Sequence, residues 1–454
     1  MSNGFRLDKE GDRWGFVTPD GDWFYSLGVN GVHNQILDQA AWLRADLPRK
    51  YGDDRNWFAR WAEAKLDQVS QCGFNTLGAW HEPYYWGNGL PKTVEIRMSR
   101  HAPKVNTDWG TGFPDVFDKR FDASIERACI DCFLSGRGEA LLRDPGVIGY
   151  YTDNEIHWWG HGGKWGNNDP GDGSNCTNLV DDYLELAANA AGKRAWLAML
   201  EQSYGTVERL NESWGAEYAS WADLAHLAVY RADRPQRLEA DKLAFLRRIA
   251  ETYYEKTSKA LKRYDPHRLN LGNRMVGTST PEVVLEVMKD YADALSLNFY
   301  SFDLPVRWLS RMHERTGLPI MVTEFSFCAG AESGFLENTN GARNVLVRTQ
   351  ARRGEAYRAF VELAASLPYL VGAHWFALYD YGNPHGLIGN YGLLDLADEP
   401  WQEFTDSARQ TNESVLQAWR EGFAGIEPSS RLAYNDGDGG RLIAFTEGGA
   451  LKDV

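Results

Sequence analysis

Residues 147–155, VIGYYTDNE, begin as an unbroken apolar run and end in an Asn-Glu pair. An apolar run without polar alternation predicts a strand buried on both faces, as in a parallel sheet covered by helices. Residues 319–325, PIMVTEF, have the same character and carry Glu324 close to the end of the run. The two segments therefore predict two buried parallel strands, each with a glutamate at its carboxyl end.

Six further apolar runs alternate with helical patterns along the chain. They occupy residues 24–30, 74–80, 94–99, 269–274, 294–300 and 372–380, and the run at 94–99 is the weakest. The clearest helix is predicted over residues 241–264, where apolar residues keep roughly one face and an Asp-Pro pair follows. Eight strands alternating with helices predict an α/β fold, a (β/α)8 TIM barrel, whose chemistry lies at the C-terminal ends of the strands.

The spacing of these runs also predicts the domain organisation. We assign residues 1–425 to the barrel and residues 426–454 to a short Gly/Asp-rich tail, either a small β element or a loose end. The interval at about 156–240 is too long for one connection, so it predicts an insertion with a Gly/Asn-rich loop followed by helices. A second long loop, residues 81–118, is expected to wall the same face, where long loops usually shape a cleft.

Two glutamates at strand ends of one barrel are the residues that glycoside hydrolysis needs. One carboxyl group protonates the leaving oxygen, and the other attacks or stabilises the sugar cation. We assign Glu155 as the general acid/base and Glu324 as the nucleophile, with Asn154 bonded to the 2-hydroxyl of the sugar. The competing interpretation for either glutamate is a structural carboxylate paired with an arginine.

Other residues at predicted strand ends are candidates for substrate binding. Tyr300 either donates its hydroxyl to Glu324 or is an ordinary core tyrosine. Trp375 would form an aromatic floor for a sugar ring. The remaining candidates are Asn273, Arg274, His33, His81 and Trp158. Each histidine alone is more often a hydrogen-bonded structural residue than a catalyst. The histidine spacing does not specify a metal site, so no metal or organic cofactor is expected.

Composition narrows the classes of partner and compartment. The formal charge of −15 argues against nucleic acid or an anionic membrane as a partner. The 13% aromatic content suits a saccharide cleft, although most rings are expected in the core. Five cysteines, with Cys129 and Cys132 in a helical setting, indicate buried reduced thiols. The first residues carry no apolar signal segment, so a cytoplasmic location is expected, or secretion if a signal peptide was removed.

On these residues the chain resembles glycoside hydrolases of clan A, which carry Asn-Glu at the fourth strand and a glutamate nucleophile at the seventh. Within the clan it is most similar to family 50, the β-agarases, with family 42 β-galactosidases as a relative. The similar segments span most of the chain and comprise residues 11–21, 26–32, 114–118, 151–155, 204–215, 374–376 and 390–395. The resemblance implies a retaining double displacement through Glu155 and Glu324.

The resulting expectation is a retaining, exo-acting β-glycoside hydrolase on β-linked oligosaccharides, of β-galactosidic or agarose type. Its two carboxyl groups should lie about 5–5.5 Å apart. The alternatives are a β-glucosidase, β-mannosidase or β-glucuronidase, an inverting hydrolase or transglycosylase, a non-catalytic sugar-binding barrel, and a metal-dependent hydrolase using the histidines. Homo-oligomers are common among such barrels, but no segment of this chain indicates an interface.

Overall fold

The computed structural model describes residues 4–34, 46–106, 111–161, 176–329, 345–382, 388–422, 443–445 and 451–453. The first nine strands are β1 (Arg6–Glu10), β2 (Arg13–Val17), β3 (Trp23–Phe24), β4 (Ser26–Asn30), β5 (Thr76–Leu77), β6 (Lys92–Glu95), β7 (Lys104–Asn106), β8 (Phe113–Pro114) and β9 (Val147–Tyr151). The others are β10 (Leu269–Asn270), β11 (Arg274–Val276), β12 (Leu295–Asn298), β13 (Ile320–Phe325), β14 (Cys328–Ala329), β15 (Leu346–Val347), β16 (Leu370–Phe376), β17 (Tyr381–Gly382), β18 (Ile388–Gly389), β19 (Ile443–Phe445) and β20 (Leu451–Asp453).

The helices connect the strands on the outside. They are α1 (Leu47–Lys50), α2 (Trp57–Gln71), α3 (Lys119–Cys129), α4 (Gly138–Arg143), α5 (Asn178–Glu185), α6 (Ala191–Tyr204), α7 (Val207–Trp214), α8 (Trp221–Ala225), α9 (Pro235–Tyr264), α10 (Glu282–Met288), α11 (Val306–Thr316), α12 (Gln350–Ser366) and α13 (Gln402–Arg420). A short 3₁₀ turn, Pro83–Tyr85, stands where an α-helix would join β5 to β6, and a π-helix, Ile130–Leu134, continues α3.

Nine strands form one parallel sheet in the order β10-β9-β6-β5-β4-β16-β13-β12-β11. The two outermost strands, β10 and β11, are consecutive pieces of one chain segment, so the sheet closes on itself. The break between them falls at Gly272, which has a φ of 68° and where a Cβ would meet Met288 Cε at 2.1 Å. Only glycine avoids both the steric and the backbone cost there. The predicted (β/α)8 barrel is confirmed, with β10 and β11 together as its fifth strand.

The bottom of the barrel, at the N-terminal ends of its strands, is closed by an antiparallel sheet of β1, β2 and β3 that the sequence analysis missed. Phe5 and Phe16 pack against Ile148, Met321 and Val371, which come from three barrel strands, and all five are buried. These side chains remove a large apolar area from water at this end. The opposite end therefore remains as the place for a polar site.

Each of the eight predicted runs overlaps a barrel strand. The run at 94–99 differs most from its strand, because β6 begins at Lys92 and ends at Glu95. Arg97, two residues after β6, has a φ of 62°. The predicted helix over 241–264 belongs to α9, which begins earlier, at Pro235. Cys129 and Cys132 are buried free thiols, as expected.

The predicted insertion at about 156–240 contains helices α5 to α8, while residues 162–175 of its loop lie outside the described residues. In the predicted tail, β19 and β20 pair antiparallel. The remainder of residues 426–454 lies outside the described part.

Candidate active site

Glu155 stands four residues beyond the end of β9, on a backbone that is held in an uncommon conformation. Its φ is 49°, a left-handed value that side chains other than glycine rarely adopt. Its N–H donates to the carbonyl of Arg274 at 2.9 Å, and its own carbonyl accepts from the Thr111 hydroxyl at 3.0 Å. Neighbouring strands thus fix a conformation that the chain alone would disfavour, which is a common property of functional positions.

Glu324 lies within β13 and is 4% exposed. Its Oε1 is 2.8 Å from Nη2 of Arg274, and its Oε2 accepts from the Tyr300 hydroxyl at 2.5 Å. Arg274 itself is fully buried, with its guanidinium 4.5 Å from the ring centroid of Trp80 and 5.3 Å from that of Tyr151. A buried carboxylate is costly without partners, and here a cation and a hydroxyl both favour its charged form.

Asn298, at the end of β12, hydrogen-bonds Glu155 and lies beside Glu324 on the neighbouring strand. Its Nδ2 donates to Glu155 Oε1 at 2.8 Å and to Asn154 Oδ1 at 3.2 Å. Its Oδ1 accepts from Thr323 Oγ1 at 2.7 Å, which fixes the orientation of the amide. The backbone register pairs Asn298 with Glu324 on the adjacent strand. Both carboxyl groups therefore lie at the same rim of the barrel.

The surroundings push the two carboxyl groups toward different protonation states. Burial, and then the charge of Glu324, raise the pKa of Glu155, while the Asn298 hydrogen bond and Arg274 oppose this only in part. Burial also raises the pKa of Glu324, but Arg274 and the Tyr300 hydroxyl oppose it directly. These surroundings favour the proton on Glu155 and the negative charge on Glu324. Such a pair can supply an acid and a nucleophile together.

Aromatic rings border the two glutamates. Phe376, at the end of β16, is partly exposed, and its ring centroid lies 5.9 Å from Trp80, 6.4 Å from Tyr300 and 5.4 Å from Tyr391. Trp80 is also partly exposed, and its indole donates to Glu95. Apolar ring faces of this kind suit the C–H face of a sugar.

Three of the residues predicted for substrate binding lie at the pair. Tyr300 makes the hydrogen bond to Glu324 that was one of its two alternatives, and Arg274 makes an ion pair with the same carboxylate. Asn154 is partly exposed and shares Asn298 with Glu155. Their contact with a substrate stays a prediction, but their place in the site is clear.

Trp375 lies on the outer side of the sheet. It is fully buried against Phe325, Tyr357 and Phe404, and its indole donates to the carbonyl of Tyr391 at 3.0 Å. Side chains alternate along a strand, so His374 and Phe376 face inward while Trp375 faces the helices. The structure therefore gives the mouth of the barrel Phe376 in place of the predicted tryptophan.

Asn273 and Trp158 also point away from the two glutamates. The Asn273 side chain accepts from the hydroxyl of Tyr254, on the outer helix α9, at 2.7 Å. Trp158 is fully buried, with its ring centroid 4.5 Å from that of Phe113 and 5.8 Å from that of Tyr254. Both serve the packing between the barrel and its helices.

His33 follows the end of β4, and His81 follows the end of β5. His81 is buried, with Nδ1 2.7 Å from the carbonyl of Gly78 and Nε2 accepting from Trp86 at 3.2 Å. Burial lowers its pKa to about 4, so the ring is neutral. His33 is partly exposed, and burial together with Arg97 lowers its pKa to about 4 as well. Within the described residues, no group of His, Cys, Asp and Glu could hold a metal ion.

Sequence reasoning missed several residues of the site, namely Trp80, Glu95, Arg97, Asn298 and Phe376. Each stands at the carboxyl end of an observed barrel strand or within three residues beyond it. That position was a usable signal, because barrel chemistry gathers at strand ends. What the sequence lacked was the inward or outward direction of each side chain.

No protein-family model matches the chain. It is 26% identical to β-agarase B and 27% identical to β-agarase A, both of Vibrio sp. (strain JT0107). Each match covers 90% of this chain, and respectively 48% and 45% of the relative. The chain therefore spans about half the length of these curated relatives.

Solved structures establish the fold. A crystal structure of an agarase has a TM-score of 0.78 at 23% identity, covering 92% of this chain and 66% of that one. The structure of an exo-β-agarase has a TM-score of 0.79 at 22% identity, covering 93% and 66%. The fold is thus a (β/α)8 barrel like that of these agarases.

Among the described residues, no helix is long and apolar enough to span a bilayer.

Proposed function

We propose that the protein is a retaining, exo-acting β-glycoside hydrolase of agarose type and a member of glycoside hydrolase family 50. The observation that carries the proposal is the asymmetric pair, with Glu324 held by Arg274 and Tyr300 beside a Glu155 whose pKa is raised. The similarity to two β-agarases over 90% of the chain supports the agarose-type substrate. Clan A membership and kinship with family 42 belong to the same proposal.

In the first step the ionised Glu324 attacks the anomeric carbon of the sugar. The glycosidic C–O bond breaks as the proton of Glu155 passes to the leaving oxygen, and a covalent glycosyl ester forms. Arg274 and Tyr300 keep Glu324 charged before the attack and retain contact with its oxygens afterwards. Because Asn298 holds Glu155 through one oxygen only, the other carboxyl oxygen is left to face the substrate.

In the second step Glu155 acts as a general base. Glu155, now ionised, removes a proton from water, the hydroxide oxygen attacks the anomeric carbon, and the ester bond to Glu324 breaks. Two displacements return the anomeric carbon to its first configuration. The raised pKa of Glu155 suits both roles, because it is protonated before the first step and a competent base in the second.

The long segments around the mouth support exo action. The segment between β6 and β9 carries β7 and β8, and the segment after β16 carries β17 and β18. They would enclose one end of the substrate, as in a pocket. The exo-β-agarase of similar fold is consistent with this arrangement.

The test is product analysis on agarose, agaro-oligosaccharides and aryl β-galactoside, β-glucoside, β-mannoside and β-glucuronide. Each substrate is run beside Glu324→Gln, with Glu139→Gln on the exposed face of α4 as the matched control. We expect galactosidic turnover that is lost with Glu324→Gln and kept with Glu139→Gln. One short product should accumulate from the earliest time, and it should form first as the anomer of the bond cleaved.

Each part of the proposal has its own contrary outcome. An initial product of the opposite anomer would contradict retention, and mixed lengths at early times would contradict exo action. Turnover of only a glucoside, mannoside or glucuronide would change the sugar. Binding without turnover would make the chain a sugar-binding barrel.

A further inference from the structure

A cavity adjoins the glutamate pair and includes Trp80, Glu95 and Arg97 of the candidate site. It has a volume of about 360 Å³, within the range of small-molecule pockets, and it is bordered by Asn154 and by residues at the ends of β5 and β6. Thr111, on its wall, is the residue whose hydroxyl donates to the carbonyl of Glu155. The cavity is therefore continuous with the surroundings of the acid/base.

Three cations line this cavity, namely Arg97, Arg100 and Lys104. The chain as a whole carries a net charge of −15, so a concentration of positive charge beside the cleft is unusual for this molecule. A cleft lined by one sign of charge attracts ligands of the other sign.

The two carboxylates on the same wall, Glu95 and Asp153, are already engaged. Asp153 accepts from Ser99, through its N–H and its hydroxyl at 2.8 Å each, and from the Tyr253 hydroxyl at 2.7 Å. Glu95 accepts from the Trp80 indole and from Arg97 Nε at 3.0 Å. Asp153 and Lys104 are close enough for each charge to favour the other's ionised form, but neither carboxylate hydrogen-bonds Arg100 or Lys104.

Among the residues that the structure describes, no carboxylate forms a direct ion pair with Arg100 or Lys104. Lys104 Nζ donates to the carbonyl of Ser99 at 2.7 Å, which is a neutral acceptor, and Arg100 is exposed. Arg97 is paired through Nε on one edge only, and its side chain is 47% exposed. Positive charge therefore remains available to a ligand.

The backbone at Arg97 is held in a left-handed conformation, with a φ of 62°. The residues on both sides of Arg97 are hydrogen-bonded to the end of β9. The N–H of Ile96 donates to the carbonyl of Tyr151, and the N–H of Met98 donates to the carbonyl of Thr152, both at 2.9 Å. A non-glycine residue kept at such a φ by its neighbours often marks a functional position. This observation points to Arg97 independently of its charge.

We propose that this cavity binds an oxyanion carried by the sugar next to the scissile bond, as a sulfate ester or a carboxylate. The proposal rests on the glycoside hydrolase function and specifies its substrate class as an anionic β-linked galactan. A guanidinium fork matches the paired oxygens of either group, and a second cation nearby strengthens the field. A neutral sugar would leave most of this charge unused.

The test compares three oligosaccharides of one length, which are neutral, sulfated and carboxylated. We measure the ratio of kcat/KM for each anionic substrate to that for the neutral one. For the native protein we expect a ratio of roughly three to ten for at least one of them, as suits a partly exposed charged contact. The substrate with the higher ratio identifies which oxyanion the cavity takes.

The variants are Arg97→Gln, Arg100→Glu and, as matched control, Arg143→Ala. Arg143 is 79% exposed at the end of α4, at the opposite end of the barrel. We expect the ratio to fall to about one with Arg97→Gln, below one with Arg100→Glu, and to stay at the native value in the control. A native ratio of one for both anions, or ratios unchanged by both variants, would overturn the proposal. Arg100 is exposed, so its variant keeps the test valid if Arg97→Gln fails to fold.

The same site is tested without turnover by calorimetric titration of the sulfated and carboxylated oligosaccharides. Binding of one anionic ligand that weakens with salt and with Arg100→Glu would uphold the cavity even if no substrate is cleaved. Equal affinity for the neutral and both anionic ligands would refute the cavity while leaving the hydrolase proposal intact.

Discussion

Glu155 and Glu324 stand at the same rim of the barrel, but their surroundings differ in kind. Glu324 lies inside a strand, is almost completely buried, and is contacted by a guanidinium on one oxygen and a phenol on the other. Glu155 lies beyond its strand, is partly exposed, and accepts one hydrogen bond from the neutral amide of Asn298. One carboxyl group is held by charge, and the other is left free to exchange a proton.

In the proposed mechanism, the neighbours of each glutamate set its role. Burial raises the pKa of both groups and by itself would favour the protonated form of each. Arg274 opposes that effect more directly at Glu324, because it contacts that carboxylate at 2.8 Å. The charge kept on Glu324 then raises the pKa of Glu155 further. The assignment of acid and nucleophile is therefore a property of the pair.

The largest effect that could break this comparison comes from removing each carboxyl group in turn. We expect Glu324→Ala to lower kcat by about 10⁴-fold or more, because the covalent step is lost. Glu155→Ala should cost roughly 10²–10⁴-fold on natural substrates and much less on aryl glycosides, whose leaving group needs little protonation. The rates are measured with both kinds of substrate.

Added azide sharpens the same experiment. It should restore turnover in both variants but give glycosyl azides of opposite anomeric configuration, inverted with Glu324→Ala and retained with Glu155→Ala. Glu139→Ala on α4 serves as the control, with native rates expected. If both variants gave the same anomer, the two roles assigned here would be wrong.

A smaller effect is expected from removing one of the two groups that hold Glu324 ionised. Tyr300→Phe deletes the hydrogen bond to Oε2, so the pKa of Glu324 should rise and the acid limb of the kcat/KM profile should move to higher pH. A hydrogen bond to a charged group contributes about 1.5–3 kcal/mol, which corresponds to a roughly ten- to hundredfold fall in kcat/KM.

The matched control for this substitution is Tyr357→Phe. Tyr357 is buried, and its hydroxyl donates to Asn412 at 2.7 Å on the outer side of the barrel. Tyr357→Phe therefore also removes one buried, hydrogen-bonded hydroxyl. Its variant should be less stable but should keep the native acid limb. An unmoved acid limb with Tyr300→Phe would show that the phenol does not govern the charge of Glu324.

The comparison also predicts a difference in stability. Since the pKa of Glu155 is higher in the folded protein than in the unfolded chain, its contribution to stability is lost as pH rises through the folded value. Glu155→Gln removes this penalty, so the variant should melt about 1–3 °C above the native protein at pH 8. At pH 4 the two should melt nearly together. A variant that melts lower at pH 8 would contradict the raised pKa.

Much of this molecule was predictable from its sequence because strands buried on both faces are unbroken apolar runs. Those runs located all eight barrel strands, and strand ends located Glu155 and Glu324. The weakest run was displaced because β6 is followed so closely by the left-handed Arg97. The sheet beneath the barrel was missed because its strands are short and because β1 is almost entirely polar and exposed.

What the sequence could not supply was the direction of side chains near strand ends. The register between β13 and β16 shifts after Ile320, so alternation cannot be counted from the start of the strand. Trp375 and Asn273 were chosen by residue type, and both point outward. Asn298 was missed because its importance depends on the meeting of three strands, which no local pattern encodes.

The smallest expected effect separates the two neighbouring aromatic residues of β16. Phe376→Ala should raise KM a few-fold by removing an aromatic face near the sugar, since such contacts contribute about 0.5–1.5 kcal/mol. Trp375→Phe should leave KM unchanged and lower the melting temperature, because it creates a cavity among buried rings. Both are measured by substrate kinetics and thermal unfolding. If Trp375→Phe raised KM and Phe376→Ala did not, Phe376 would not be a sugar contact. The effect of Trp375 would then have to reach the cleft through the backbone of β16.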